Sequence, residues 1–410
     1  MERTGTERTF LAARSLKKLI GDLPTPFYLY DEKGIRAGVR TLFDAFGGET
    51  GLTVRYPVRL NPNPAILRLL KECGCGVFCR TTGELLLAKR IGFSGDEVVY
   101  APFCTDAEGE QLSDELGAVR LVGGSHVLPD FPPRRVMLCC NPTEGLMFDK
   151  IPVSVNREVI GMSEEEILDM ADRFHTFGTE SISLCMLARP LDEEPNFYPA
   201  VADRLFRLAV LLRERLGITV DCCDLGEGLG WFEEQAPDDK ALRARADTIR
   251  ALREQILVPA GLGEMRLSMM PGRYLTGRHG LFVMRVMAVK EGIVNRAVVD
   301  ASFSSYLRPA LFAVRHTIQA LGKGNDRVRI PYEVLGYTGD RRDRFAREQP
   351  LPELKEGDIL LVCDAGFEGG ALMSSFGMVP GCAEYLVRSM DEIVCIRKAQ
   401  RVEELVDSFF

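Results

Sequence analysis

Arg59 stands at the end of an apolar segment, just before the turn Asn61-Pro-Asn-Pro64. The segment Val54–Leu60 is typical of a strand, and apolar side chains at helical spacing follow the turn. This stretch therefore predicts a strand, a turn and a helix. In barrels built from such units, binding and catalytic residues lie at the carboxyl ends of the strands. Arg59 is the first candidate for chemistry.

Two roles are open to a guanidinium in this position. It can hold the carboxylate or phosphate of a ligand, or it can form a buried ion pair within the chain. Glu84 and Glu227 are the acidic partners that we expect for an ion pair. Strand alternation also places Arg55 and Arg59 on one face, where two cations require counter-charges.

Three acidic residues, Glu84 among them, also have simple interpretations. Glu84 follows Thr81-Thr-Gly83 and predicts an acid in the first turn of a helix, where it interacts favourably with the helix dipole. Asp340 and Asp343 lie among three arginines and predict a solvated charged loop.

The composition excludes several classes of protein. The 410 residues, 46% of them hydrophobic, suffice for one large core and a second domain. A net charge of −8 argues against nucleic-acid binding. We identify neither a signal peptide nor a membrane span, and we expect a cytoplasmic protein.

The twelve cysteines are scattered, and we expect most of them to be buried thiols. The densest group, Cys73-x-Cys75-x3-Cys79, has no histidine nearby to complete a metal site. None of the four histidines suggests a catalytic triad. We therefore expect no metal.

Strands and helices alternate through the first two thirds of the chain. This alternation predicts an α/β fold, a (β/α)8 barrel of the TIM type over residues 36–280. Its eight predicted strands are Val54–Leu60, Gly76–Cys79, Glu97–Ala101, Ala118–Val122, Val136–Cys140, Ser181–Met186, Thr219–Asp224 and Glu264–Met269.

A mostly β domain is predicted from residues 281–410 together with residues 1–35. Its one long helix is predicted at Pro309–Ala320, and the strand Phe27–Tyr30 is expected to join this domain because it has no partner in the barrel. The predicted strands of the C-terminal part are Leu281–Val289, Ile293–Ser302, Val328–Leu335, Ile359–Val362, Cys382–Val387 and Glu392–Ile396.

Short motifs occur in a fixed order along residues 25 to about 387. They are Thr25-Pro-Phe-Tyr-Leu-Tyr-Asp31, the Arg59 turn, Gly83-Glu-Leu85, Asp224-Leu-Gly-Glu-Gly-Leu-Gly230, Met270-Pro-Gly-Arg-Tyr274, Arg308-Pro-Ala-Leu311, Glu356-Gly-Asp358 and Asp364-Ala-Gly366. This series resembles the pyridoxal-phosphate-dependent decarboxylases of the alanine-racemase-like fold (fold type III). Within that group it looks most similar to diaminopimelate decarboxylase.

The resemblance implies a barrel with a β domain, a head-to-tail homodimer and pyridoxal phosphate as the family's cofactor. It implies that Gly226, Gly228, Gly272 and Arg273 lie where the family binds the cofactor phosphate. It also implies that Arg308 matches a residue that binds the substrate carboxylate. The alternatives are a plain turn with a surface arginine for Arg273 and a dimer-interface salt bridge for Arg308.

The catalytic positions depart from the family pattern. Arg59 stands where the family carries its Schiff-base lysine, and an arginine, which is always protonated, cannot take over that role. Met270 replaces the glutamate that keeps the pyridine nitrogen protonated, and it can hold no charge. In the motif with the catalytic cysteine, Gly339 and Asp340 replace Cys and Glu, and only Asp343 is retained.

Further departures affect contacts with the cofactor. Glu227 lies within the glycine loop, where its carboxylate would repel a phosphate unless a cation intervenes. Glu368 replaces a phosphate-contacting tyrosine, and Phe312 replaces the tyrosine of the Arg-Pro-Ala-Leu-Tyr motif. Leu187 and Pro190 fall at the histidine and serine of the His-x-Gly-Ser motif.

Our first hypothesis is a degenerate member of this family, a pseudoenzyme that binds a small anionic ligand or regulates an active relative. No cofactor is expected, or pyridoxal phosphate held non-covalently at best. The partner would be a second copy or an active relative, with no nucleic acid and no membrane. The alternative is an active amino-acid decarboxylase with an altered site. A third hypothesis, in which Lys71, Lys89 or Lys150 replaces the missing lysine, ranks last.

Overall fold

The structure is a computed structural model that describes residues 13–21, 23–47, 51–104, 106–124, 132–141, 153–154, 161–187, 189–190, 196–227, 229, 239–324, 328–389 and 391–410. In chain order its strands are β1 Phe27–Asp31, β2 Leu52–Pro57, β3 Gly76–Cys79, β4 Val98–Tyr100, β5 Val119–Val122, β6 Arg135–Cys139, β7 Val153–Ser154, β8 Ser181–Cys185, β9 Arg189–Pro190, β10 Cys222–Glu227, β11 Arg266–Met270, β12 Gly280–Lys290, β13 Asn295–Val299, β14 Ile318–Ala320, β15 Ile330–Leu335, β16 Arg344–Leu351, β17 Ile359–Val362, β18 Ala383–Ser389 and β19 Glu392–Arg397.

The helices alternate with the barrel strands and become sparse after them. They are α1 Ala13–Ile20, α2 Glu32–Phe46, α3 Pro64–Glu72, α4 Thr82–Ile91, α5 Ala107–Leu116, α6 Glu164–Thr176, α7 Phe197–Leu216, α8 Asp239–Leu252, α9 Gly272–Thr276, α10 Arg308–Phe312 and α11 Val402–Asp407. A π-helical turn, Arg253–Leu257, continues α8.

The chain divides into two compact units. One consists of Gly38–Tyr274, and the other combines Met1–Ala37 with Leu275–Phe410. The first is the barrel unit and the second is the β unit.

In the described part of the barrel unit, eight parallel strands close into a ring in the order β10-β11-β2-β3-β4-β5-β6-β8. Strands such as β3 are buried along their whole length, as expected of a parallel sheet with both faces covered. The predicted barrel is confirmed, with all eight strands present. Three prolines and two glycines between β5 and β6 predict a loop in place of one barrel helix, and that segment lies largely outside the described residues.

The barrel strands differ from the predictions mainly at their ends. The first strand was predicted to run to Leu60 but ends at Pro57, and Val58–Leu60 form a 3-10 turn. The strand predicted to end at Asp224 continues to Glu227 through an irregularity in its pairing with β11. Gly226 has φ +82°, a conformation that glycine adopts without strain. The glycine therefore marks a bulge within the strand and does not end it.

An apolar cluster occupies the barrel near the carboxyl ends of several strands. It includes Phe78 of β3, Met137 of β6 and Met270 of β11, each about 1% exposed, and Leu187 packs against it. The remaining members are Val99, Ala101, Val119, Leu121, Cys139 and Cys185.

The β unit contains a sheet in the order β16-β15-β13-β12-β1-β18-β19, with β17 paired to β12 and β14 to β17. The N-terminal strand β1 lies between β12 and β18, which confirms that it joins this sheet. Its core includes Phe27, Leu29, Leu281 and Leu361.

The prediction of one long helix at Pro309–Ala320 is wrong. The helix α10 ends at Phe312, where Ala313 takes a left-handed conformation with φ +54°. The chain then enters β14, which pairs with β17.

Candidate functional site

Three charged side chains meet at the carboxyl-end rim of the barrel, and we call them the strand-end cluster: Arg59, Arg80 and Glu227. Arg59 lies in the turn after β2, Arg80 directly follows β3, and Glu227 is the last residue of β10. The strands β2 and β3 are neighbours, and β11 separates β2 from β10. Parallel strands bring their carboxyl ends to one rim, so these residues meet although they are far apart in sequence.

Glu227 is shared between the two arginines. Nη2 of Arg59 donates to both carboxylate oxygens, at 3.0 and 3.1 Å. Nη2 of Arg80 donates to Oε1 of the same carboxylate at 3.3 Å. The hydroxyl of Tyr198 donates to the main-chain oxygen of Glu227 at 3.0 Å. Of the two partners expected for Arg59, the structure pairs it with Glu227.

The turn after Arg59 is built by two asparagines. Oδ1 of Asn61 accepts from the amide of Asn63 at 3.2 Å, and Oδ1 of Asn63 accepts from the amide of Ala65 at 3.0 Å. Asn63 thereby caps α3, with Pro64 as its first residue, a position that needs no amide hydrogen. The strand and the turn fix the rim position of Arg59.

The prediction that Arg55 and Arg59 share one strand face is wrong, because Arg59 lies beyond the end of β2. Arg55 lies on β2, where it is buried. Its Nη1 is 3.7 Å from Oδ2 of Asp224, and its Nη2 donates to the main-chain oxygen of Asp96 at 2.9 Å. Arg55 therefore belongs to a separate buried pair.

Glu84 lies in the first turn of α4, as predicted. Oγ1 of Thr81 caps the helix by accepting from the amide of Glu84 at 3.2 Å. Oε2 of Glu84 accepts from the amide of Arg80 at 2.7 Å. Glu84 thus holds the main chain of Arg80 in place beside the cluster.

Burial and neighbouring charges set the pKa values of the two glutamates in opposite directions. Burial alone would raise the pKa of Glu227, but Arg59 and Arg80 outweigh it and hold that pKa below its ordinary value. Arg273 adds to this effect. Burial raises the pKa of Glu84 despite nearby Arg59 and Arg80. Glu227 is therefore ionised at neutral pH.

Arg59 has one guanidinium nitrogen without a partner among the described residues. Its Nη1 is buried and finds no hydrogen-bond acceptor within that part of the chain. The side chain as a whole is 32% exposed. Nη2 of Arg59 is thus hydrogen-bonded within the cluster, whereas Nη1 is a donor without an acceptor among the described residues.

Gly272 and Arg273, from the motif Met270-Pro-Gly-Arg-Tyr274, lie in the short helix α9. Gly272 begins α9, and a β-carbon there would come within 2.2 Å of Cδ1 of Leu60 and 3.0 Å of Cδ of Pro57, so glycine lets these side chains stay in place. Arg273 lies in α9, half-buried, so its predicted place in a plain turn is wrong. Gly226 donates its amide to Oδ1 of Asp224 at 2.8 Å. Gly228 lies outside the described residues, as does the side chain of Pro190.

Met270 ends β11 inside the apolar cluster, 1% exposed. Its neighbours there are aliphatic, aromatic and sulfur-containing side chains. A charged pyridine nitrogen would find no carboxylate in this cluster.

A second ion pair lies in the β unit. Arg308 donates through Nη1 to Oε2 of Glu368, and its Nε donates to Nε2 of His316 at 3.3 Å. Its guanidinium lies 4.0 Å from the ring centre of Phe367, a cation–π contact. We call Arg308, Glu368 and His316 the Arg308 cluster. The dimer-interface bridge expected for Arg308 is not needed, because the chain itself supplies the acid.

His316 is held neutral within the Arg308 cluster. Its Nδ1 lies 3.1 Å from the main-chain oxygen of Cys363, and its Nε2 lies 2.9 Å from the hydroxyl of Tyr306. Burial and the charge of Arg308 lower its pKa to about 4. The Arg308 cluster therefore contains one positive and one negative charge at neutral pH.

The prediction of a solvated loop is wrong for Asp343. It is 2% exposed and accepts from the amides of Phe303 at 2.7 Å and Thr338 at 3.0 Å. Asp340 instead pairs with the exposed Arg342 at 2.9 Å. Gly339 lies in an exposed turn with φ +76°. Asp343 thus orders the backbone of this loop.

Arg80 is the residue that sequence reasoning missed. It directly follows β3, so the rule that singled out Arg59, a charged residue at the carboxyl end of a barrel strand, applies to it equally. Among the described residues, no group of histidine, cysteine and acidic side chains could hold a metal ion. None of the described helices combines the length and apolarity that a membrane span requires.

Comparison with known proteins gives full-length relatives. A diaminopimelate decarboxylase of Methanothermobacter thermautotrophicus is 28% identical over 95% of this chain and 92% of its own length. The protein TabA of Pseudomonas amygdali pv. tabaci is 27% identical over 95% and 92%.

Solved structures share the fold. A diaminopimelate decarboxylase crystal structure has a TM-score of 0.85 at 23% identity and covers 100% of this chain and 99% of its own. A lysine/ornithine decarboxylase of Vibrio vulnificus, complexed with putrescine, has a TM-score of 0.75 at 18% identity over 93% and 99%. Residues 27–366 match the family described as pyridoxal-dependent decarboxylase, C-terminal sheet domain. With its barrel, its β sheet and this match over most of its length, the chain belongs to the pyridoxal-dependent decarboxylase family.

Proposed function

We propose that this chain is a non-catalytic member of the diaminopimelate-decarboxylase-like group that binds a small anionic ligand or regulates another protein. One observation carries the proposal: the side chain at the lysine position, Arg59, is an arginine whose guanidinium is bound by Glu227 at 3.0 Å. A Schiff base requires an amine that can lose its proton, and a paired guanidinium does not supply one.

The residues of the barrel unit do not fit pyridoxal phosphate held covalently. The family's cofactor would act as an electron sink only with an acid at its pyridine nitrogen, and Met270 lies in an apolar cluster. A phosphate at the rim would meet the carboxylate of Glu227, which is ionised at neutral pH. Non-covalent binding is the most that we propose for this cofactor.

The β unit supports the same proposal. Arg308, which resembles the family's residue for the substrate carboxylate, is already paired with Glu368. Glu368 stands where the family has a tyrosine. To bind Arg308, a substrate carboxylate would have to displace the carboxylate of Glu368. The free energy of the Arg308–Glu368 pair would therefore be lost from the binding free energy of the substrate.

Reduction with borohydride tests the proposal. Purified full-length protein is incubated with pyridoxal phosphate, reduced, and examined by intact mass and peptide mapping. We expect no pyridoxyl adduct on a barrel residue, and an active diaminopimelate decarboxylase treated in parallel serves as the positive control. A stoichiometric adduct on any barrel lysine, including Lys71, Lys89 or Lys150, would overturn the proposal.

A double variant sharpens this test. Arg59→Lys alone should give little adduct, because Glu227 would keep the new amine protonated and would repel the phosphate. Adding Glu227→Gly removes that carboxylate, and adduct formation should increase. Equal adduct in both variants would show that Glu227 does not block the site.

The second candidate is an active amino-acid decarboxylase with an altered site. The full-length match to a diaminopimelate decarboxylase, over 95% of this chain, favours it. Release of carbon dioxide from diaminopimelate, measured with the wild type and with Arg59→Ala, decides between the candidates. Turnover that disappears in Arg59→Ala would establish the second.

We further propose a cytoplasmic homodimer or a heterodimer with an active relative. The described cysteines are free thiols, which suits a reducing compartment. Leu311, Phe312 and Phe376 of the β unit are exposed apolar side chains that a partner would cover. Light scattering of the purified chain, alone and mixed with an active relative, measures its assembly.

A further inference from the structure

A cavity of about 210 Å³ lies in the β unit, between the end of α1 and the sheet. Its apolar wall is formed by Ile20, Leu23, Phe27, Leu321 and Ile359. These side chains belong to the core of the unit or pack against it. An apolar protein cavity of about 150 Å³ is enough to bind benzene, so this cavity has room for a small organic molecule.

Arg285 lines the cavity at a position where strand alternation predicts an apolar residue. Leu281 and Val283 of β12 belong to the core, and Arg285 follows on the same face of the strand. Its partner on β17 is Ile359, which lines the same cavity. A half-buried arginine on the core-facing side of a sheet requires acceptors for its hydrogen atoms and its charge.

The guanidinium of Arg285 is only partly satisfied within the described part of the chain. Its Nη1 donates to the main-chain oxygen of Gly357 at 3.3 Å. The carboxylate of Asp300 accepts from the main-chain amide of Arg285 at 2.8 Å and from Oγ1 of Thr25 at 2.5 Å. Nε and Nη2 of Arg285 have no acceptor among the described residues, and these two nitrogens form the fork that a carboxylate accepts from.

Asp358 also lines the cavity, but other groups already bind its carboxylate. Its Oδ2 accepts from Nζ of Lys323 at 2.5 Å and from the amide of Lys355 at 2.7 Å. Lys323 therefore supplies the counter-charge of Asp358, and this acid is not the partner of Arg285.

Lys17 of α1 is a second cation beside the cavity. Its ammonium forms no ion pair with a described residue, whereas that of its neighbour Lys18 lies 3.8 Å from Asp391. The Lys17 side chain is exposed, so it attracts an anion to the cavity but holds it less firmly than the half-buried Arg285 does.

We propose that this cavity binds a small carboxylic acid with an apolar tail, in its ionised form. The carboxylate accepts from Nε and Nη2 of Arg285, and the tail packs against Ile20, Phe27 and Ile359. An anion without a tail leaves the apolar wall uncovered, and a neutral ligand leaves Arg285 without a counter-charge. The site uses residues of the β unit alone, so the inference is independent of the proposed function.

Three probes separate the two requirements. The first, 4-methylpentanoate, has both charge and tail, whereas 4-methylpentanamide lacks the charge and acetate lacks the tail. Each is titrated at neutral pH into full-length protein that carries ¹³C in its isoleucine δ1 methyl groups. The first probe should shift the signals of Ile20 and Ile359 and leave that of Ile167, in the barrel helix α6, unchanged. We expect it to bind at least about tenfold more tightly than either of the others.

Substitutions of the two cations test their roles. Arg285→Gln should weaken the binding of 4-methylpentanoate about tenfold, to the level of the amide. Lys17→Gln should weaken it only about threefold, because the ammonium is exposed. Lys18→Gln is the matched control on α1. Arg296→Gln is the matched control on the sheet, since Arg296 pairs with Glu333, and neither control should change the affinity.

Two results with the wild type would overturn the inference. One is 4-methylpentanoate that leaves the signals of Ile20 and Ile359 unshifted, and the other is an amide or acetate that binds as tightly. A folded Arg285→Gln with the wild-type affinity would overturn the assignment of the carboxylate to Arg285, and an unchanged Lys17→Gln would remove Lys17 from the site. The borohydride experiment reports on barrel residues, so its outcome is read separately.

Discussion

The strand-end cluster and the Arg308 cluster both pair an arginine with a glutamate, yet they differ in charge balance and in exposure. In the barrel unit, Glu227 pairs with both Arg59 and Arg80. About a quarter of the Glu227 side chain and about a third of each arginine side chain are exposed. In the β unit, Arg308 is 2% exposed, and Glu368 neutralises it beside an uncharged histidine. The first cluster shares one carboxylate between two arginines and leaves Nη1 of Arg59 without an acceptor among the described residues, whereas the second pairs one arginine with one carboxylate.

This difference separates a structural role from a binding role. The Arg308 cluster has the features of a buried pair that the fold requires once its members are present. The strand-end cluster is the barrel site that we propose for an anion, because a bound anion would give Nη1 of Arg59 an acceptor. Substitutions in the two clusters should therefore affect stability to different degrees.

The largest effect is expected from Arg308→Ala. Removing one member of a buried pair leaves the other charge uncompensated, and we expect a loss of about 4 kcal/mol in the free energy of unfolding. Urea denaturation followed by fluorescence measures this loss. A loss below about 1 kcal/mol would mean that the Arg308 cluster is not a structural pair.

His316 should make the stability of the β unit dependent on pH between about 6.5 and 4. Its folded pKa, about 4, lies below the ordinary value of about 6.5, so the unfolded chain binds the proton first. The stabilisation is complete above pH 6.5 and decreases as the pH falls, by about 3 kcal/mol at most. Below the folded pKa it decreases no further.

Denaturation of the wild type and of His316→Gln across this range measures the effect. The variant should lose less stability on acidification than the wild type. His279, whose pKa burial lowers to about 3, contributes to both proteins and cancels in the difference. Parallel pH profiles would contradict the assignment to His316.

Arg59→Ala should cost only about 1 kcal/mol of stability, because the pair is partly exposed and Glu227 retains Arg80. The same denaturation experiment measures it beside Arg308→Ala. If both substitutions cost the same, the distinction between a structural cluster and a binding cluster would not stand.

The smallest effect is expected from the ionisation of Glu227. Its folded pKa is lowered, so the stabilisation is present above the ordinary glutamate value of about 4.3 and is lost as the pH falls further. Glu227→Gln should lack this acid-dependent loss, which thermal denaturation between pH 5 and 3 would detect. The pH ranges of Glu227 and His316 differ, so the two clusters can be followed separately.

The fold was largely predictable because its strands are apolar runs separated by helices, a pattern that survives errors at the ends of elements. The errors arose where individual residues depart from the pattern that predicts a helix or a strand. Ala313, in a left-handed conformation, ends the helix that was predicted to reach Ala320. The strand β16, Arg344–Leu351, went unpredicted because exposed charged residues interrupt its apolar positions.

The candidate site was predictable as a set of positions but not as a set of contacts. Arg59 could be singled out from its place at a strand end, and Glu227 could be named as one of two partners. The choice between Glu84 and Glu227 depended on how the barrel closes, which residue spacing does not encode. Asp343 was misjudged for a similar reason, since its buried amide partner Phe303 lies 40 residues away in sequence.

The bond between Arg59 and Glu227 has a consequence for the kinetics of folding. The barrel ring closes where its first strand, β2, meets its last, β11, and this bond spans that seam by joining two residues 168 positions apart in sequence. A contact of such separation forms only after the intervening chain is ordered. We therefore expect its loss to raise the unfolding rate while leaving the folding rate unchanged. We expect the bond at the proposed ligand site also to slow the opening of the closed ring.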